Sequence, residues 1–148
     1  MDGANVEIFE EVGEDNIVIF GMSAEEVAAL TASGSYRPWD VYNMDTDIQQ
    51  VLTKLINGSL SSDPERFREI YEALLNGYNG QRPDEYYVLE DFAAYAKAQD
   101  EIGRLYMDKD KWAKIAITNV AKAGKFSSDR TILQYANEIW KLEKLEVK

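Results

Sequence analysis

The chain has 148 residues, about the length of one domain, and its 27 acidic against 16 basic residues give a formal net charge of −11 at pH 7. This acidic excess argues against non-specific binding to nucleic acid or to an anionic membrane, because clustered cations supply that affinity. The sequence contains no cysteine and no histidine, which excludes a disulfide framework, thiolate or imidazole metal sites, and Ser-His-Asp or Cys-His catalysis within this chain.

The N-terminal part predicts one helix and one isolated strand. Apolar residues at intervals of three indicate an amphipathic helix over Gly3–Val12, with Asp2 as a candidate N-cap. Ile17–Phe20 is a continuous apolar run between Asn16 and Gly21, which is typical of a buried strand. A strand needs partners for its backbone N–H and C=O groups. We therefore expect a second short strand in this chain, or partner strands outside it.

The middle of the chain predicts a series of helices. Ser23 and Glu26 form a capping box at the start of a helix that ends at Gly34. Three further helices are predicted from Pro38 through Tyr42, over Asp47–Asn57, and from the pair Asp63-Pro64 onward. The last two carry matching apolar stripes and are expected to pack together as a hairpin.

Asn76–Glu85 contains two Gly, two Asn and one Pro, and it predicts a flexible loop. Two long helices follow, over Val88–Tyr106 and Lys111–Ala123, the second capped by Asp108 or Asp110. A final helix over Thr131–Trp140 is expected to bury its apolar side chains Ile132, Tyr135, Ala136, Ile139 and Trp140.

The stretch Gly124–Arg130, GKFSSDR, is unusually rich in cationic, aromatic and hydroxyl side chains for a connection. Gly124 is expected to end one helix in the left-handed conformation, and the residues at 127–129 are types that cap the next. The simplest interpretation is a capped corner between helices with Phe126 in the core. Lys125 and Arg130 are the cations of this corner.

Three other groups of side chains are candidates for chemistry, and each has a more ordinary explanation. Glu7 and Glu11 share a helix face, which is usually solvated. Asp108 and Asp110 lack EF-hand spacing and are explained as helix caps. Aromatic residues could form a sugar platform, although at helical spacing they more often pack in a core: Tyr86, Tyr87, Tyr95, Trp112 and Trp140.

Sequence motifs at both ends resemble the α-glucan (glycogen, starch, maltodextrin) phosphorylases. These are GKFSSDRTI with YANEIW near the C-terminus, MDGANVEIFEEVGEDNIVIFG at the N-terminus, and FAAYAKAQDEIGRLYMDKDKW between them. The resemblance implies the C-terminal part of a two-domain GT-B enzyme. That enzyme uses orthophosphate and pyridoxal 5′-phosphate, bound to a lysine, to release glucose 1-phosphate from α-1,4-glucans.

The resemblance carries over no catalytic, cofactor-binding or metal-binding residue. The family's cofactor lysine lies upstream of the motif DGANVE, and Asp2, Gly3, Ala4 and Asn5 are interpreted as scaffold. We expect a mainly α fold with one or two short strands, formed as one segment over 1–148. Within it, 1–22 is the helix with its unpaired strand and 23–148 is a helical lobe. This fragment alone is expected to be structural and inactive.

The expected partners are the remainder of the phosphorylase chain and a second copy of this fragment, bound for instance by pairing through Ile17–Phe20 or by exchange of an end segment. With no signal-peptide pattern and no apolar run near twenty residues, we expect a soluble, cytoplasmic protein. Lys141 stands where the family tends to have Gly, so the last helix is free to continue into Leu142–Leu145. If any lysine here took a catalytic role, Lys125 is the first candidate. The alternative is an autonomous acidic helical module that binds a protein partner.

Overall fold

The computed structural model describes residues 3–143 and 145, and it is mainly helical. Eight α-helices occur in the described residues, α1 to α8 in chain order: Gly3–Val12, Ala24–Ser33, Pro38–Met44, Thr46–Ile56, Arg68–Leu75, Phe92–Met107, Lys109–Lys122 and Ser128–Gln134. Short 3₁₀ turns lie at Glu14–Asn16, Pro64–Phe67 and Ala123–Phe126, and a π-helical turn, Tyr135–Trp140, follows α8. The candidate N-cap Asp2 lies outside the described residues.

The chain divides into two compact units. The first unit holds residues 19–101, and the second holds residues 3–18 with the described residues from 102 onward. The boundaries fall inside the apolar run 17–20 and inside α6. The assignment of 1–148 to one segment of the enzyme's C-terminal domain, with parts 1–22 and 23–148, stays a prediction.

The first unit has a small apolar core between α4, α5 and the turn before α6. Ile48 and Leu52 of α4 meet Leu75 of α5 and Leu89, and all four side chains are buried. These positions belong to the predicted apolar stripes, so the pairing of the two helices is confirmed. Partly buried side chains surround this core: Val41, Tyr42, Leu55, Tyr71, Leu74 and Phe92.

The second unit packs α1 against α7. Val12 is its buried apolar side chain. The Asn119 amide on α7 donates to the Asn16 carbonyl at 2.9 Å, and the Asn16 amide donates to the Val12 carbonyl at 2.8 Å. Two side-chain amides therefore satisfy the backbone where α1 ends.

The predicted strand Ile17–Phe20 is not formed: residues 3–143 and 145 contain no β-strand. Ile17 does have extended backbone, with φ −145° and ψ 144°. A β-ladder needs a second strand to receive its N–H and C=O groups, and the described residues provide none. The prediction of one or two short strands is therefore not confirmed in this chain.

Helix ends follow local capping chemistry, with a few differences from the predictions. The capping box of Ser23 and Glu26 is present, and Asp108 accepts the Lys111 N–H at 3.0 Å. The helix predicted from Val88 begins only at Phe92, because a turn with Tyr87 at φ 58° precedes it. A 3₁₀ turn after Asp63 likewise delays α5 to Arg68.

The predicted continuation of the last helix into Leu142–Leu145 is wrong for the residues that the structure describes. Lys141 adopts the left-handed conformation, φ 52°, and ends the π-helical turn. The N–H of Leu142 then donates back to the carbonyl of Ala136 at 2.8 Å, which closes the helix end. Lys144 lies outside the described residues.

The expected burial along the final helix is also wrong within this chain. Ile132, Tyr135, Ile139 and Trp140 are all exposed. The described residues cover this apolar face only in part, since these four side chains are 44–63% exposed. Within the same residues, no helix is both long and apolar enough to cross a lipid bilayer.

Leu75 is 1% exposed, so replacing it by alanine should leave a cavity in the core of the first unit. We expect Leu75→Ala to lower the free energy of unfolding by about 2–5 kcal/mol. Urea denaturation followed by circular dichroism measures this change. Leu60→Ala is the control, because Leu60 is exposed and its truncation should have little effect. Equal losses in both variants would contradict the assigned core.

Candidate functional site

The most constrained side chain of the first unit is the carboxylate of Asp84. It is 3% exposed and its backbone is left-handed, with φ 41°. Oδ2 accepts the Tyr36 hydroxyl at 2.5 Å and the Leu89 N–H at 2.9 Å, while Oδ1 accepts the Val88 N–H at 2.8 Å. A buried carboxylate is tolerated only when such partners replace water.

Tyr36 is the side-chain partner of the Asp84 carboxylate. Burial, together with its hydrogen bond to Asp84, raises the pKa of the Tyr36 phenol above its ordinary value. The phenol therefore stays protonated and keeps donating to the carboxylate. Because Tyr36 lies between α2 and α3, this bond joins that connection to the turn before α6.

Tyr87 is the second unusual residue of the turn. It is buried, and its backbone φ of 58° is rare for a bulky residue. Its hydroxyl lies 2.6 Å from Thr31 Oγ1 and accepts an N–H from Arg82 Nη1 at 3.1 Å. Its ring meets Tyr36 edge-on, with centroids 4.9 Å apart, and the Arg82 guanidinium lies 5.0 Å from its centroid.

These residues form one wall of an open cleft of about 370 Å³ within the first unit, which we call the arginine cleft. Its lining combines two guanidinium groups, hydroxyls and apolar surface: Leu30, Thr31, Gly34, Tyr36, Arg37, Pro38, Arg82, Pro83, Asp84 and Tyr87. Its volume is within the range of small-molecule sites.

A second, more apolar cleft of about 350 Å³ lies elsewhere in the same unit. Phe20 and Tyr95 pack there with ring centroids 5.4 Å apart, beside the exposed Tyr86. Asp91 Oδ1 accepts the Met22 N–H at 2.9 Å. A Cβ on Gly21 would lie 2.6 Å from Asp91 Oδ2, so only glycine fits this approach.

In the second unit, the corner 124–130 differs from its predicted form. Ala123–Phe126 is a 3₁₀ turn, and Gly124 does not adopt the left-handed conformation. The Ser127 N–H closes this turn by donating to the Gly124 carbonyl at 3.2 Å. Ser127 Oγ accepts the Arg130 N–H at 3.2 Å, which confirms a hydroxyl cap for α8.

The charged side chains of this corner are held by their neighbours. Lys125 Nζ pairs with Glu11 Oε1 at 2.8 Å. Arg130 donates from Nε to the Lys125 carbonyl and from Nη1 to Gln134 Oε1 at 2.8 Å. Phe126 is 42% exposed, so the prediction that it lies in the core is wrong. The corner is a structural junction whose aromatic side chain remains open to solvent.

The candidates from the sequence are not brought together into one site. Of the acidic pair, Glu11 binds Lys125 and Glu7 is exposed. Asp108 is a helix cap. The five aromatic residues of the suggested sugar platform are divided between the units, and Tyr87 is buried while Tyr86 is 79% exposed. Among the described residues, no three acidic side chains are grouped to hold a metal ion.

Sequence reasoning missed Asp84 and its partners. Pro83-Asp84 had been assigned to the flexible loop 76–85, because Gly, Asn and Pro dominate its composition. The available signal was that aspartate tolerates the left-handed conformation and caps N–H groups of a following turn. The partner Tyr36 is 48 positions away in the chain, so no local pattern identifies it.

The family model of the carbohydrate phosphorylases matches residues 1–142. The chain therefore belongs to this family, which confirms the resemblance carried by DGANVEI and GKFSSDRTI.

Among similar proteins are three glycogen phosphorylases. The Bacillus subtilis protein is 45% identical over 139 residues, which covers 94% of this chain and 17% of the relative. The protein of Synechocystis sp. is 44% identical over 97% of this chain and 16% of its own length. The muscle form of Rattus norvegicus is 42% identical over 97% of this chain and 16% of its own length. The chain thus spans about one sixth of the length of these relatives.

The Glu11–Lys125 pair predicts a pH-dependent contribution to stability. The hydrogen bond between Glu11 and Lys125 holds the pKa of the Glu11 carboxyl below its ordinary value of 4.5. A depressed carboxyl pKa stabilises the fold above about pH 4.5, and this stability is lost as the pH falls through the folded-state value. Glu11→Gln should therefore lower the urea midpoint at pH 7, and the difference from the unmodified chain should shrink at pH 3.

The matched control is Glu14→Gln, since Glu14 is exposed. Its urea midpoint should differ little from that of the unmodified chain at either pH. If Glu11→Gln lowered the midpoint equally at pH 7 and pH 3, the ion pair would not be the cause.

Proposed function

We propose that this chain is the C-terminal part of an α-glucan phosphorylase and serves that enzyme as a structural helical lobe of its GT-B fold. The observation that carries the proposal is the family match over residues 1–142 in a chain that spans only 16–17% of its relatives. The order of the motifs, with DGANVEI first and GKFSSDRTI last, supports the C-terminal position.

The complete enzyme is proposed to carry out phosphorolysis of α-1,4-glucans in the cytoplasm, releasing glucose 1-phosphate. The relatives named above are glycogen phosphorylases, which supports this substrate class. In this family the reaction depends on pyridoxal 5′-phosphate bound to a lysine as a Schiff base.

The described lysines do not fit the role of a Schiff-base lysine. Such a lysine must lose its proton, which desolvation favours. Lys125 has the opposite environment, because its hydrogen bond to Glu11 raises the pKa of its ammonium. The other described lysines are exposed: Lys54, Lys97, Lys109, Lys111, Lys114, Lys122 and Lys141. We therefore assign the cofactor, and the catalytic residues with it, to other parts of the enzyme.

Exposed apolar surface supports a role in packing against other protein. In the second unit, α7 and the segment after it expose Ile117, Val120, Ile132, Leu133, Ile139 and Trp140. Apolar surface of this kind is expected to contact a partner rather than water. The proposed partner is the remainder of the phosphorylase chain. The net charge of −11 makes nucleic acid and anionic membrane unsuitable partners.

The proposal predicts that this chain alone does not catalyse phosphorolysis. Incubation with pyridoxal 5′-phosphate, glycogen and orthophosphate should give no glucose 1-phosphate above background and no Schiff-base absorbance. The full-length Bacillus subtilis relative is the positive control in the same assay. Glucose 1-phosphate release that disappears in Lys125→Met but persists in Lys122→Met would contradict the structural role and identify a catalytic lysine here.

The proposal also predicts self-association when the rest of the enzyme is absent. The segment 17–20 has no strand partner among the described residues, and Ile19 and Phe20 are exposed. An exposed apolar segment of strand-like composition without a strand partner invites pairing with a second copy. Sedimentation velocity from micromolar to millimolar concentration should show dimers, and Phe20→Lys should weaken them. The control Leu60→Lys should not, and a monomer at every concentration would contradict pairing through 17–20.

A further inference from the structure

We propose that the arginine cleft is a binding site for a small anionic molecule in which a phosphate or carboxylate group is attached to a compact apolar body. The cleft lies within the first unit and does not depend on the proposed phosphorylase function. The inference rests on its two guanidinium groups, its apolar wall and the strained turn that holds Tyr87.

The two arginines are oriented by carbonyl and hydroxyl oxygens, which leaves part of each guanidinium for a ligand. Arg37 donates from Nη1 to the carbonyls of Gly34 and Tyr36, both at 2.8 Å. Arg82 donates from Nη1 to the Tyr87 hydroxyl and from Nη2 to the Glu85 carbonyl at 2.8 Å. In the part of the chain that the structure describes, neither arginine forms an ion pair with a carboxylate.

A guanidinium has five N–H donors and matches the geometry of a phosphate or carboxylate. The hydrogen bonds of Arg37 in the described structure all come from Nη1, so its Nε and Nη2 groups remain to donate to an anion. The Nε group of Arg82 likewise remains to donate to an anion. The two residues together would give the cleft a charge that complements one oxyanion.

The carboxylate of Asp84 also lines the cleft, and it would repel an anion if it were free. Its oxygens instead accept the Tyr36 hydroxyl and the N–H groups of Val88 and Leu89. These donors offset its charge locally. Asp84 therefore acts on the cleft by holding Tyr36 in place, and the arginines determine the sign of the ligand.

The lining of the cleft also suits an apolar body. It includes Leu30, Pro38 and Pro83 together with the rings of Tyr36 and Tyr87, which meet edge-on. A volume of about 370 Å³ accommodates a single ring with its substituent. The hydroxyls of Thr31 and Tyr87, both lining residues, lie 2.6 Å apart.

The backbone around the cleft is held in costly conformations. Asp84 and Tyr87 both have positive φ, 41° and 58°. Non-glycine residues in this region cost of order 1–3 kcal/mol each and concentrate at functional sites. Here the hydrogen bonds of the Asp84 carboxylate and of the Tyr87 hydroxyl hold the turn in this conformation. The cleft is thus formed before any ligand enters it, which lowers the entropic cost of binding.

Calorimetric titration of the whole chain with phenyl phosphate, phenol and inorganic phosphate tests the two halves of the ligand separately. Phenyl phosphate should bind saturably, inorganic phosphate more weakly, and phenol not measurably. Arg82→Met should weaken phenyl phosphate by about tenfold or more, since a charge-assisted hydrogen bond is lost. Arg66→Met is the matched control, because Arg66 lies beside Phe67 and does not line the cleft.

Arg37→Met provides a second variant if Arg82→Met disturbs the turn, which circular dichroism would show. Amide chemical shifts of Gly34 and Tyr87 should move on titration and locate the ligand in the cleft. Three results would each overturn the proposal. The first is that phenyl phosphate shows no saturable binding. The second is that Arg66→Met weakens phenyl phosphate binding as much as both cleft variants do. The third is that phenol binds as tightly as phenyl phosphate.

Discussion

The first unit depends on the satisfaction of one buried charge. Asp84 is almost fully enclosed, and an unpaired carboxylate there would cost several kcal/mol. Two backbone N–H groups and one phenol offset this cost by donating hydrogen bonds to the carboxylate. Because those donors come from Tyr36, Val88 and Leu89, the same charge fixes the α2–α3 connection and brings Leu89 into the core. It also sets the turn that delays α6 to Phe92 and gives the arginine cleft its wall.

Sequence periodicity predicted the helices well where burial is local. Ile48 and Leu52 on α4 and Leu75 on α5 are core residues because one face of each helix is apolar. The caps at Ser23, at Asp108 and in the segment 127–129 were likewise predictable from the sequence, since a cap accepts backbone N–H groups within three or four residues.

The remaining features depend on contacts that no local pattern contains. The turn around Tyr87 requires Tyr36 and Thr31, which are distant in sequence. The periodicity of the last helix is that of a core helix and predicts a buried apolar face, yet the described residues cover that face only in part. The run 17–20 has the composition of a strand, but residues 3–143 and 145 contain no strand to pair with it.

The proposed packing role would account for these exposed features. The chain spans about one sixth of its relatives' length, and in that proposal its exposed helix faces and the apolar run 17–20 contact other parts of the enzyme. Its own stability must come from small local cores, such as the one between α4 and α5, and from polar junctions such as Glu11–Lys125. In that pair, the hydrogen bond to Glu11 raises the pKa of the Lys125 ammonium.

The Asp84 carboxylate organises the first unit, and amide hydrogen exchange at Val88 and Leu89 tests this role directly. The side chain of Val88 is 53% exposed, so burial alone does not protect its amide. If the carboxylate holds both N–H groups, they should exchange as slowly as the amides of the core residues Leu52 and Leu75. Exchange of Val88 and Leu89 as fast as that of the loop residue Gly80 would contradict the claim.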